Sequence, residues 1–296
     1  MPVSSAALVA LAAICWGVSG GLAGYLLAQG WDPFVVSFYR AVVGLLFVAA
    51  WLCRHTRGHG LDDPRLWLWS VVAGLGVAGN FAFYFLSIAE GSVAVAATLM
   101  YCAPVFVYLV SFALGLEKPS PSKFCAIVLV IVGILLLTGV YDANPGGISL
   151  FGVAAGLLAG LSYAVFIFGF KYAAFYGTSQ SALVIVFALV SMLLFWLGDD
   201  QQRLNALTAD ARPLFLTLGL LGAGLSFIFF VVGLKFTPPA IASILAMVEP
   251  VTASLFSVLV LGETLAGLQL TGMGLVIATV TGLSVISARG RRKHLS

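Results

Sequence analysis

Residues 91–116 read GSVAVAATLMYCAPVFVYLVSFALGL, a run without a single charged side chain. A helix needs about 20 residues to cross the hydrocarbon core of a bilayer, so this run holds one span, with Pro104 near its middle. A shift of 146 residues brings the same pattern round again: Pro104 falls on Pro250, Ala94 on Ala240, Glu117 on Glu263 and Gly76 on Gly222. Asn80 meets Ser226, another small polar residue, while Phe83 and Tyr84 meet Phe229 and Phe230. The coincidences fall on residue types that exchange poorly, and they mark an internal repeat.

Working outward, the rest of the chain has the same character. Of 296 residues 61% are hydrophobic and 8% charged, against roughly 25% charged in soluble domains. A surface that apolar is stable only in lipid. Further uncharged runs extend from Leu66 to Ala89, Phe124 to Tyr141, Ala143 to Phe170, Tyr172 to Gly198, Pro213 to Leu234 and Thr264 to Ala288. Two spans precede them, Ser5–Leu27 and Pro33–Cys53, and one runs from Ala240 to Leu261 around Glu249. The expected fold is an all-α integral membrane protein of about ten spanning helices, two halves of about five each. The first Lys or Arg is Arg40, so Ser5–Leu27 lacks the basic flank of a signal peptide and reads as a retained helix.

An odd number of helices per half makes the second half enter the membrane from the opposite side, an inverted-topology repeat. Such repeats are typical of alternating-access carriers with a midplane site. Basic residues set the orientation. With both termini inside, eleven of the 14 basic residues lie in the cytoplasm, Arg203 and Arg212 lie outside, and Arg40 is within a span. The net charge of +3 then reflects topology, including the basic tail at 289–296, and not a nucleic-acid surface.

Several chemistries find no support. Cys15, Cys53, Cys102 and Cys125 lack CxxC spacing and read as small apolar residues. His55 and His59 stand in a Gly/Arg loop without partners for a metal, so neither metal nor cofactor is expected. The chain has no GxxxxGK[ST] loop, and intramembrane catalysis would need clustered nucleophiles or histidines. A channel would normally present rings of repeated polar residues. An enzyme and a channel are therefore the lesser alternatives to a carrier.

Trp16-Gly17 in the first helix, Arg40 in the second, Pro104 in the fourth, and Glu249-Pro250 with Leu261-Gly262-Glu263 in the ninth resemble the pattern of EamA-type proteins of the drug/metabolite transporter superfamily. The resemblance covers essentially the whole chain, as one unit over 1–142 and an inverted one over 143–288. The first half departs from the pattern at Gly115-Leu116-Glu117, and the sixth helix carries Ser162-Tyr163 in place of Trp-Gly. Within the superfamily the chain looks most like bacterial aromatic amino-acid exporters of the YddG type. That resemblance implies efflux of a small-molecule substrate, aromatic or other neutral amino acids, across the inner membrane. Other metabolites or drugs are the alternative, and the oligomeric state is left open.

The third helix places Gly76, Asn80, Phe83, Tyr84 and Ser87 on one face, and Ser226, Phe229 and Phe230 repeat the arrangement in the eighth. Such faces suit an aromatic amino acid or, equally, helix packing. Pro104 and Pro250 cannot donate to Met100 and Ala246, so both helices kink and free a carbonyl. Tyr101 and Met247, just before the prolines, are expected to point to the cavity. Trp16 and Tyr163 lie mid-helix, away from the interfacial belts, and are candidate cavity residues. Gly17xxxGly21, Gly20xxxGly24 and Gly152xxxGly156xxxGly160 read as close helix contacts. Glu249 lies near midplane, where charge is costly. It reads as a coupling carboxylate, a partner for a substrate ammonium or a hydrogen-bonded neutral acid. Arg40 can snorkel or hold another helix, with substrate carboxylate binding the weaker reading.

Overall fold

The computed structural model describes residues 5–54, 60–90, 93–116, 120–142, 149–262 and 264–293, and among them there are helices and no strands. In chain order the helices are α1 Ser5–Ala28, α2 Pro33–Cys53, α3 Pro64–Ala89, α4 Val93–Met100, α5 Ala103–Ala113, α6 Pro121–Leu137 and α7 Leu150–Ala173. There follow α8 Ser179–Leu197, α9 Asp200–Ala206, α10 Arg212–Gly219, α11 Ser226–Leu234, α12 Pro239–Leu245, α13 Val248–Leu261 and α14 Gly267–Lys293. A π-helical segment, Leu220–Leu225, joins α10 to α11.

Among the described residues eight helical segments are long and apolar enough to cross a membrane, counting α4–α5, α10–α11 and α12–α13 each as one. The apolar helices Pro121–Leu137 and Gly267–Gly282 are shorter. Large apolar side chains face outward, Trp196 at 80% and Leu259 at 81% exposure, as befits a lipid-facing surface. Glu117 and Glu263, used to align the halves, and His55 and His59 lie outside the described residues.

Local sequence explains where the helices begin. Asp32-Pro33 and Asp63-Pro64 each put a capping carboxylate before a proline at the first turn: Asp32 accepts from the Val35 amide at 2.9 Å and Asp63 from the Arg65 amide at 2.8 Å. Proline at that position gives up a donor that has no helical partner anyway. Ser149 caps α7 through the Gly152 amide at 3.0 Å. Gly30, with φ of +90°, lets the chain turn from α1 to α2 in a conformation that side chains disfavour.

Both proline-bearing spans break at the same place. Cys102 donates to Leu99 O at 3.2 Å and Met247 to Ile244 O at 3.1 Å, three residues back in each case. These tight turns separate α4 from α5 and α12 from α13, immediately ahead of Pro104 and Pro250. Proline supplies no amide to continue the ladder, so the preceding helix stops and a new one begins with the proline in its first turn.

Packing across the bundle is reciprocal. α3 lies on α7 as the α10–α11 span lies on α1; α4–α5 touches α7 as α13 touches α1. α2 packs on α8, α6 on α14 and α5 on α12. Glycines allow the closest of these contacts: a Cβ on Gly76 would meet the Phe166 amide at 2.6 Å, and one on Gly156 would meet the Leu99 side chain at 2.7 Å. Gly17 and Gly21 likewise press on α13. Gly20 and Gly24 do not: nothing lies within 4 Å of a Cβ at either. The expectation of packing there is corrected, because those two glycines border an open space.

Candidate functional site

That space is a cavity of about 950 Å³. Its lining runs from mid-bundle residues, Trp16, Tyr101, Tyr163 and Glu249, to Ala28, Pro33, Ile88, Leu137 and Leu265. The latter group gathers where α1 meets α2, α3 ends, α6 ends and α14 is about to begin. The cavity therefore reaches one end of the bundle and stops near its middle.

Aromatic rings form its floor. Trp16 packs against Phe227 at 5.1 Å and Phe230 at 5.0 Å between centroids. Tyr163 lies 4.4 Å from Phe166, and Phe187 meets Phe227 edge-on at 5.0 Å. Phe170 and Phe230 are fully buried beneath. Trp16 Nε1 and Tyr163 OH are buried in this floor without hydrogen-bond partners among the described residues, an arrangement that costs free energy and calls for an explanation.

Of the residues singled out from sequence, Trp16, Asn80, Tyr84, Tyr101, Tyr163, Glu249 and Pro250 come together along the cavity wall. Asn80 does two things there. It lines the cavity, and its Nδ2 donates to Ala159 O of α7 at 3.0 Å, so its amide is a helix tie as well.

Ser226, Phe230, Met247 and Pro104 are elsewhere. All four are buried in the packed interior and none lines the cavity. Phe230 is covered by Trp16. The π segment just before Ser226 widens the turn, and each inserted residue rotates the downstream helix by about 100°, so the eighth span does not repeat the face of the third. Met247 sits two residues from Glu249, a separation that puts side chains on nearly opposite sides of a helix. Glu249 takes the cavity side.

Arg40 is more central than its sequence suggested. Its Nε and Nη2 donate to Gly222 O at 3.1 and 3.0 Å, tying α2 to the π segment. Its guanidinium also lies 5.2 Å from the Phe81 ring centroid, and it lines the cavity. Arg40 and Glu249 share the cavity wall with Tyr84, Tyr101 and Tyr163. Phe81, Phe166 and Phe227 also border the cavity. Phe81 could have been found one residue beyond Asn80; nothing in the sequence pointed to Phe166 or Phe227.

A bundle of long apolar helices enclosing a cavity with a closed floor, without clustered catalytic groups among the described residues, is the architecture of a multi-pass membrane carrier. The chain belongs to the EamA-like transporter family, whose model matches residues 3–139 and 150–285, and so to the drug/metabolite transporters that its motifs resemble. It is a transporter and not an enzyme. It is similar to the uncharacterized transporter YwfM of Bacillus subtilis (strain 168), 27% identical over 96% of this chain and 94% of that protein. It is similar also to the threonine/homoserine exporter RhtA of Escherichia coli (strain K12), 28% identical over 97% of this chain and 92% of that protein. The uncharacterized inner membrane transporter YicL of Salmonella typhimurium (strain LT2) is 27% identical, with 96% of each chain covered. One protein of known crystal structure shares the fold, with a TM-score of 0.76 at 20% identity over 96% of this chain and 98% of that one.

Proposed function

We propose that the chain exports small amphipathic metabolites, amino acids foremost, across a bacterial inner membrane by alternating access. The observation that carries this reading is the one-ended cavity: it is open at one end of the bundle and closed towards the other by rings packed edge-on and tilted against one another. A carrier held in one of its two states has this shape.

On this reading the chain crosses the membrane ten times, α6 and α14 being the fifth and tenth spans. Its units, 1–142 and 143–288, are inverted relatives, followed by the basic tail 289–296. The exchange of helix partners between the halves supports that symmetry. With both termini cytoplasmic, the cavity mouth faces outward, the side of release for an exporter. The buried donors of Trp16 and Tyr163 would then gain partners as the floor opens and water or substrate reaches them.

Amino acids are the favoured class because RhtA, a relative along nearly the whole chain, is a threonine/homoserine exporter. The rings along the wall, Trp16, Tyr84, Tyr101 and Tyr163, suit aromatic members of that class, as for exporters of the YddG type. Uptake of radiolabelled phenylalanine and threonine into proteoliposomes, with and without a pH gradient, tests the reading. Saturable uptake of either is expected; absence of uptake of any amino acid under both conditions would sink it. A response to the gradient that Glu249→Gln abolishes would assign Glu249 to coupling.

A further inference from the structure

The charges of the cavity deepen the transport reading, and a role for them in holding substrate rests on it. Arg40 and Glu249 are the two side chains of opposite formal charge among the residues lining the cavity. Both are half-buried. Glu249 makes no side-chain hydrogen bond among the described residues. Arg40 uses Nε and Nη2 on Gly222 O, which fixes the guanidinium and leaves the rest of its donors available.

A single cation or anion in such a cavity would attract ligands of the opposite charge. One of each, in a wall that is otherwise apolar and aromatic, favours a ligand that is itself a dipole of full charges. Opposite charges interact more strongly in low dielectric than in water, whereas a ligand charged at one end leaves the other wall charge without its partner. Tyr84, Tyr101 and Tyr163 line the same cavity as Glu249. A wall that holds both aromatic rings and a carboxyl group suits an ammonium group, which both attract.

We propose that Arg40 and Glu249 form a clamp for the two charged ends of an α-amino acid. Glu249, in the wall it shares with the three tyrosines, takes the α-ammonium group, and Arg40 faces the α-carboxylate. The ligand class is then amino acids with both ends free, and the clamp reads what they share. Side-chain preference is left to the apolar remainder of the wall, so phenylalanine and threonine should both bind.

Calorimetric binding to the purified full-length protein in nanodiscs tests this separately from transport. The probes are phenylalanine, threonine, N-acetylphenylalanine, which lacks the ammonium, and phenethylamine, which lacks the carboxylate. Each one-ended analogue should bind about tenfold or more weakly than phenylalanine, the scale of one hydrogen bond to a charged group. Glu249→Gln should lower phenylalanine to the level of N-acetylphenylalanine and hardly change N-acetylphenylalanine itself. Arg40→Gln, which keeps a donor for Gly222 O, should lower phenylalanine to the level of phenethylamine. If Arg40→Gln fails to fold, the analogues and Glu249→Gln still decide the matter. Equal binding of phenylalanine and N-acetylphenylalanine would overturn the clamp. So would a Glu249→Gln variant that weakens all four probes by one factor, or no binding of either amino acid. Discriminating binding without proteoliposome uptake would instead overturn the transport reading and leave the clamp standing.

Discussion

Phe230 and Tyr84 are equivalent in the sequence repeat, and the structure gives them different neighbours. Phe230 is fully buried under Trp16, while Tyr84 borders the cavity. Truncating Phe230 to Ala should therefore cost about 3–5 kcal/mol as a core deletion, read as a lowered Tm in detergent. Truncating Tyr84 should leave expression and Tm nearly unchanged but weaken proteoliposome transport several-fold. Asn80→Ala combines both effects, since Ala159 O loses its donor; a loss of about 1 kcal/mol should accompany a fall in transport. Unchanged transport in both Tyr84→Ala and Asn80→Ala would mean that the third-span face takes no part in carrying substrate.

Among the elements, α1 and α7 carry glycines at the same four-residue spacing but use them differently. Gly156 and Gly160 of α7 lie against Leu99 and Met100, whereas Gly20 and Gly24 of α1 border the cavity. Gly156→Leu should thus destabilise by about 1–3 kcal/mol or more through overpacking, seen as poor expression and a lowered Tm. Gly20→Ala should fold normally, and any transport change it causes belongs to the cavity. The contrast also shows what the sequence could and could not reveal. Helix positions were legible because uncharged runs and Asp-Pro starts are local signals. So were the breaks before Pro104 and Pro250, since a missing amide acts on its own helix. The direction of a face was not legible in the second half. The Leu220–Leu225 π turn depends on tertiary contacts, among them Arg40 on Gly222 O, and no local pattern announces it. Hence Asn80 and Tyr84 line the cavity as their shared face suggests, while Ser226, Phe230 and Met247 lie in the packed interior, and nothing in the sequence points to Phe227.

For the whole molecule, the one-ended cavity makes a prediction about access. In a functional variant without native cysteines, Cys introduced at Gly24 or Ile88 should react with a membrane-impermeant maleimide added outside intact cells. Cys at Phe236, an exposed residue at the other end of the bundle, should react only after the membrane is permeabilised. The reverse pattern would invert the orientation derived from the basic residues. A saturating amino acid that drives the outward state to turn over should slow labelling at Gly24 and leave Phe236 unaffected. The floor has a further effect at this scale, on the economy of the cell. Proton hopping needs a continuous file of hydrogen-bonded water or ionisable groups; the rings of Trp16, Phe166, Phe227 and Phe230 offer none, and the buried Tyr163 hydroxyl beside them has no hydrogen-bond partner among the described residues to pass a proton to. The open mouth thus ends on an electrical insulator. On the alternating-access reading, a membrane can hold many copies of this carrier at rest without draining the proton-motive force, and only the brief opening of the aromatic layer during turnover exposes it to leakage.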